Sequence, residues 1–269
     1  MSHRQSLIDG ALRAGDAPGG SAGLVLTATL TPPPAAVSRS DPKARLEDYL
    51  AALRHYLALR RNVVDRILFV DNSASDLAPL EAMVREVPHD KRVELMSFAG
   101  NDHSPSLGKA YGEFRLIDHG LAHTTLFAAD DIVWKSTGRL QIANLPEIAS
   151  RVTRPFDLLC DLHNVPFVGS GHWRDNRYMD LRAFAFRRRA YDDLFRGTWR
   201  DHPEDFDGTY LFDRVIDARR THRVIPRFPI QIVLRGISGR HQREYSSGSQ
   251  YAKDKVRGTI RRVAPWLWL

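Results

Sequence analysis

Three sets of carboxylates and one set of cations carry the chemistry of this chain. Asp71, Asn72 and Ser73 follow four apolar residues, Ile67 to Val70. Asp130 and Asp131 follow the apolar run TTLFAA, and Glu204 and Asp205 lie in HPEDFDGTY. A carboxylate at a strand end can accept from an N–H of a bound base. Asn72 and Ser73 serve equally well as turn caps. An adjacent acidic pair suits a hard cation, Mg²⁺ or Mn²⁺, bridging a diphosphate, or a plain helix or turn cap. Neighbouring strand residues point to opposite faces, so the turn must redirect one member of that pair. Lys109, Lys135 and Arg139 are fixed cations able to neutralise phosphate, or a solvated basic surface. Glu204 and Asp205 are placed as a general base toward a hydroxyl, or as acidic residues on a helix N-terminus.

The elements that position these groups follow from periodicity. Gly23–Thr31 reads as a first strand, stopped by Pro32-Pro33-Pro34, and Thr27 sits in it among the ligand-facing candidates. Asp41-Pro42 reads as a helix start. Leu46, Leu50, Leu53, Tyr56 and Leu57 then give a helical stripe. Arg66–Asp71 reads as a buried strand, Leu77–Glu86 as a helix and Arg92–Phe98 as a strand. Leu107–Ala122 reads as a helix opening at Gly108-Lys109, and Thr124–Ala129 as a fourth strand. Asp131–Leu145 reads as strands around a turn at Thr137-Gly138. This alternation predicts an α/β fold, a mostly parallel sheet flanked by helices, with ligands at the carboxyl ends of the strands. The expected organisation is a loose leader over 1–22, one domain over 23–235 and a basic C-terminal extension over 236–269.

Composition narrows the classes. The 269 residues carry a net charge of +7, which favours anionic partners without choosing among them. The single cysteine, Cys160, excludes an intramolecular disulfide and a cysteine-rich zinc site, and fits a reducing cytoplasm. No pair of histidines has the spacing of a zinc hydrolase. No run of about 18 apolar residues predicts a transmembrane helix. In KDKVRGTIRRVAPWLWL, cations stand beside Trp266, Leu267 and Trp268. That pattern suits either an anionic membrane surface or a helix docked on the body. No nucleic-acid-binding module is recognisable, so nucleic acid is not an expected partner.

The ordered set resembles the GT-A glycosyltransferases, the family-two-like group that uses nucleotide sugars. VDNSASD is similar to the signature after their second strand. Asn101 with Ser106–Ala110, the Asp130-Asp131 pair and Glu204-Asp205 follow in matching order across about residues 23–230. WKSTGRL also resembles a Lys-x-Thr-Gly-Arg-aromatic element of bacterial polysaccharide glycosyltransferases, with Leu140 in the aromatic place. The Asp-x-Asp spacing of the family is absent, since Ala129 and Ile132 flank the pair.

The resemblance implies a GT-A-like fold and transfer of a sugar from a nucleotide-sugar donor to a glycan or lipid-linked acceptor in surface-polysaccharide synthesis. It implies a cytoplasmic enzyme that associates peripherally with the inner membrane. Thr27, Asp71, Asn72, Ser73, Gly108, Lys109, Asp130, Lys135 and Arg139 would bind the donor. Asp130 and Asp131 would hold Mg²⁺ or Mn²⁺, and Asp205 or Glu204 would act as base. The alternatives are a nucleotidyltransferase on a similar sheet, whose glycine-rich loop is replaced here by Pro32–Pro34, or a basic protein that binds nucleic acid or membrane without catalysis.

Overall fold

A computed structural model describes residues 4–11, 22–33, 38–164, 176–204, 206–237, 244, 248–264 and 267–268. In chain order the strands are β1 (Arg4–Asp9), β2 (Ala22–Ala28), β3 (Val64–Asp71), β4 (Arg92–Ser97), β5 (Ile132–Thr137), β6 (Gln141–Ile142), β7 (Leu158–Leu159), β8 (Leu162–Asn164), β9 (Arg177–Met179), β10 (Ala183–Arg187), β11 (Val224–Ile225) and β12 (Leu234–Arg235). The helices are α1 (Pro42–Leu57), α2 (Ala78–Glu86), α3 (Gly108–His123), α4 (Leu145–Arg151), α5 (Arg188–Leu194), α6 (Thr198–Asp201), α7 (Gly208–Ala218) and α8 (Gly248–Val263). The expected α/β class and mostly parallel central sheet are present.

The main sheet has the order β1-β4-β3-β2-β5-β10-β7-β11. Strands β4, β3, β2 and β5 run parallel, while β1 and β10 pair antiparallel at either side of them. From β2 the chain winds outward through α1, β3, α2 and β4, then crosses back through α3 to place β5 on the other side of β2. The direction of winding therefore reverses between β2 and β5. Such a reversal opens a crevice at the carboxyl ends of the two strands. Thr27 and Thr137 are paired there, and the Gly138 N–H donates to the Thr27 carbonyl at 2.8 Å.

Local chemistry explains the elements. Asp41 accepts from the Lys43 and Ala44 N–H groups and Pro42 opens α1, as its sequence predicts. Tyr56 of α1 is fully buried. Its hydroxyl donates to the Leu140 carbonyl at 2.9 Å and accepts from the Ile142 N–H at 3.0 Å, which pins the turn after β5. Burial pushes that phenol up to about 12. The two sheet faces carry separate apolar cores. Leu24, Leu26, Ile67, Phe69, Leu95 and Trp134 pack under α1, α2 and α4. Val25, Leu68, Val70, Met96, Val133 and Phe184 pack against α3, α5 and α7.

Two expectations are corrected by this fold. Residues 4–9, read as part of a loose leader, form an edge strand on β4. TTLFAA is not a strand; Leu126 and Phe127 fill the core, with Phe127 lying where a Gly23 side chain would stand. The next strand is IVWKST, inside the stretch read as strands around Thr137-Gly138, and Lys135 is buried within it. The C-terminal segment takes the docked alternative that its sequence leaves open. Arg261 of α8 is buried, bonds both Asp161 carboxylate oxygens at 3.0 and 2.7 Å, and donates to the Phe228 carbonyl at 2.8 Å. Trp268 is half-buried against Phe212, with ring centroids 6.0 Å apart, rather than presented to an interface.

No helix among the described residues is long and apolar enough to cross a membrane. Breaking the Arg261–Asp161 pair leaves a buried carboxylate partly uncompensated. Arg261→Ala should lower the unfolding free energy by about 3 kcal/mol in urea titration and speed proteolysis of the C-terminal segment. An unchanged midpoint would show that α8 contributes nothing to the body.

Candidate functional site

The site residues separate by face and by edge. Strand alternation sends Asp71 to the α1 and α2 face and Thr27, Lys135 and Thr137 to the α3 face. Asp71 is wholly buried, and its carboxylate is fully engaged. It accepts from the Leu30 N–H (2.8 Å), the Ser73 hydroxyl (2.7 Å) and N–H (3.0 Å), the Ser75 N–H (3.2 Å) and the Ser97 hydroxyl (2.9 Å). These bonds tie the ends of β2, β3 and β4 together and leave nothing for a base. The expectation of Asp71 as a base-reading group is therefore corrected to a structural one. Asn72 accepts from the Thr29 hydroxyl at 2.7 Å, and the Ser73 hydroxyl accepts from the Thr31 N–H at 3.0 Å. Both belong to the same knot. Ala74 sits in the left-handed region, φ 52°, where its N–H donates to the Phe98 carbonyl.

Asp130 and Asp131 precede β5 and so lie at the amino edge of the sheet, opposite the crevice. Asp131 pairs with Arg66 and accepts from the Ala128 N–H; Asp130 is exposed beside Arg189 at 2.8 Å. They are corrected from metal ligands to partners of arginines. Among the described residues no group of three or more His, Cys, Asp or Glu side chains is arranged to hold a metal. Arg139 donates to the Ile237 carbonyl and is not joined to Lys135. Glu204 is exposed on the turn before α7, whose cap is Asp207; Asp205 lies outside the described residues. A shallow cleft lined by Ile8, Leu57, Arg60, Pro88 and Asp90 also sits at the amino edge, away from these groups.

What converges at the crevice is Lys135. Its ammonium is completely buried on the α3 face, paired with Glu113 and donating to the Leu181 carbonyl. Glu113 also accepts from the Thr27 hydroxyl, so β2, α3 and β5 meet at one carboxylate. Lys109, one helical turn before Glu113, is exposed and close enough to act electrostatically on both members of the pair. Burial pushes the Lys135 ammonium down, with Glu113 opposing and Lys109 reinforcing. Burial works against the Glu113 charge, but the two ammonium groups outweigh it and hold its carboxyl below the ordinary value.

The loop between β9 and β10 closes the far side. Asp180 is buried, and Arg182 chelates its carboxylate at 2.9 Å through Nε. Burial opposes the Asp180 charge and Arg182 overcomes it, so this carboxyl also stays well below the ordinary range. The Arg182 carbonyl accepts from the Thr137 N–H at 2.9 Å, fixing the loop on β5. Thr137 Oγ1 is buried with no hydrogen-bond partner among the described residues. Beyond Asp180 lies His163, stacked on Tyr178 and 3.6 Å from Asp161; burial lowers its imidazole.

Sequence reasoning found Thr27, Lys109 and Lys135. It missed Glu113, Asp180 and Arg182. The first reads as an ordinary polar position of an amphipathic helix, and the other two sit in a strand-like run, MDLRAFAF, that turns between strands. Gly108 opens α3 at φ 77°, a conformation that favours glycine, and it is exposed with open space where a side chain would stand.

No protein-family model and no curated protein sequence matches the chain. Solved structures with similar folds include 4-diphosphocytidyl-2C-methyl-D-erythritol synthase from Anaerococcus prevotii, 10% identical with a TM-score of 0.49, over 91% of this chain and 99% of that one. The inositol-1-phosphate CTP transferase of T. maritima is 13% identical, TM-score 0.44, over 95% and 99%. The 2-C-methyl-D-erythritol 4-phosphate cytidylyltransferase of Francisella tularensis is 10% identical, TM-score 0.42, over 77% and 90%. These are named for cytidylyl transfer or synthesis of a cytidylyl product, not glycosyl transfer, and at such identities no residue role is carried over. The glycosyltransferase expectation is corrected here. Its motifs also fail to converge, because Asp71 is consumed by the fold and Asp130-Asp131 occupy the wrong edge.

Glu113 and Asp180 both ionise more readily folded than unfolded. Their contribution to stability is complete above the ordinary carboxylate value near about 4 and is lost as pH falls through the lower folded value. Asp180→Asn should flatten the acid limb of a melting-temperature profile taken between about pH 5 and 2. An acid limb identical to that of the unaltered chain would count against this linkage. Separately, Asp71→Ala should cost about 3 kcal/mol in urea, because several buried donors lose their acceptor together.

Proposed function

We propose that the chain is a nucleotide-binding transferase that moves a nucleotidyl group. The observation that carries the reading is that exposed Lys109 acts on the buried Lys135–Glu113 pair at the end of β5, where Arg182 is fixed on Thr137 through its carbonyl and the buried Thr137 hydroxyl has no partner among the described residues. Crevices of this kind bind ligands at strand carboxyl ends. An exposed cation, Lys109, beside two oriented cation–carboxylate pairs suits a phosphate rather than a neutral substrate. No glycine-rich loop follows β2, where prolines stand instead. The phosphate contacts therefore fall to the start of α3, where Gly108 and Lys109 are exposed.

In this reading an oxygen of the acceptor attacks the α-phosphorus of a nucleoside triphosphate, and the bond to the leaving pyrophosphate breaks. Lys109 and Lys135 offset the charge that develops on that leaving group. Because Lys135 is held by Glu113 and Arg182 by Asp180, both cations are oriented before substrate arrives, which lowers the cost of reorganisation. Thr137 Oγ1 gains the hydrogen-bond partner it lacks. The cytidylyl-transferring neighbours are consistent with this chemistry; the reading rests on the site.

The test is a thermal-shift panel of nucleoside triphosphates and diphosphates, followed by pyrophosphate release with hydroxyl and phosphate acceptors. A bound triphosphate should raise the melting temperature by mass action. Lys109→Ala, an exposed position, should weaken that binding about tenfold, or about 1.4 kcal/mol, with the fold intact. Absence of a shift with every nucleotide would sink the proposal.

A further inference from the structure

Five large apolar side chains are exposed among the described residues: Leu7, Val233, Val256, Val263 and Leu267. Val256 and Val263 lie on α8, and Val233 lies in the stretch whose Gln231 touches that helix. Gln231 lies against Gly258 of α8, and in extended backbone Val233 and Arg235 follow on the same side as Gln231. On α8 itself the spacing is decisive. Lys255, Val256, Thr259, Arg262 and Val263 share one helical face, and all five are exposed. Arg261, on the opposite side, is buried on Asp161 and locks the orientation. The helix is thus held with its cationic and aliphatic face outward.

We propose that this face docks the protein on an anionic lipid surface. The cations among the five exposed residues of this face are Lys255 and Arg262, with no carboxylate among the five, so the charge of the face is complementary to such a surface. The valines decide between polyanions. Aliphatic side chains interleaved with cations enter the acyl boundary beneath anionic headgroups. Nucleic acid is gripped by cations with aromatic stacking platforms, which valine does not provide. Docking through α8 leaves the opposite side of the helix to carry the connection, through Arg261 and Asp161, to the strand ends near the crevice. This inference does not depend on the nucleotidyl-transfer reading.

The test is co-sedimentation of the full chain with vesicles of phosphatidylcholine alone, and of phosphatidylcholine containing about one third phosphatidylglycerol. Binding should be at least about tenfold stronger to the anionic vesicles and should weaken as salt is raised. Lys255→Glu with Arg262→Glu should abolish the preference. Val256→Ser with Val263→Ser should weaken binding about tenfold while leaving the melting temperature unchanged, since all four positions are exposed. Equal binding to both vesicles, binding to neither, or variants that bind like the unaltered chain would each overturn the proposal. So would stronger binding to a single-stranded oligonucleotide than to the anionic vesicles under the same salt.

Discussion

A lysine buried at the end of a central strand is costly unless its charge is met, and the Lys135–Glu113 pair meets it. Desolvating an ammonium and a carboxylate opposes folding by several kcal/mol for each ion before their attraction is counted. Here the geometry supplies the compensation. Glu113 gains the Thr27 hydroxyl as well as Lys135, and Lys135 gains the Leu181 carbonyl. One carboxylate thereby joins β2, the crossover helix and β5 at the point where the sheet reverses its winding. Removing any of these contacts exposes the others to the same penalty. The crossover helix is thus fixed in rotation as well as position, and Lys109, one turn earlier, is delivered to the mouth of the crevice.

The two strand-end networks share a chemistry and differ in purpose. Around Asp71, every lone pair is consumed by donors from the same three strand ends, so the carboxylate acts as a knot. Around Lys135 the polar groups are paired, yet Thr137 Oγ1 is left without a partner among the described residues and Lys109 is exposed. A fully satisfied network rigidifies; a residual buried polar atom is a cost that the fold alone does not offset. That distinction separates scaffold from site, although both sets consist of the same residue types at equivalent positions in the sheet.

The C-terminal region obeys the same rule. Arg261 is buried on Asp161 with Arg227 nearby, and the presence of Arg261 together with burial lowers Arg227 to about 10. Two guanidinium groups sharing one carboxylate hold α8 firmly and in one orientation. Lys255 and Arg262 are exposed on the outer face of the helix with the valines. A segment whose composition fits either a docked helix or a surface anchor is, in the folded chain, docked on the body through Arg261.

The sequence by itself determined the class of fold, the crossovers and the helix starts, because apolar periodicity and caps such as Asp41-Pro42 are local signals. It placed Thr27, Lys109 and Lys135 among the candidates for the same reason, as polar residues at the margins of apolar runs. It reads an additional strand at Thr124–Ala129, and that strand carries Asp130-Asp131 to the wrong end of the sheet. The strand around Lys135 is legible within Asp131–Leu145, but the partner that permits the burial of its lysine is Glu113, 22 positions earlier on a helix. Only the tertiary structure decided which face each strand-end group occupies. Alternation inverts with a single position, so Asp71 and Lys135, both at carboxyl ends, stand on opposite sides of the sheet. The pairings that separate a knot from a site join residues far apart in the chain, and no local pattern encodes them.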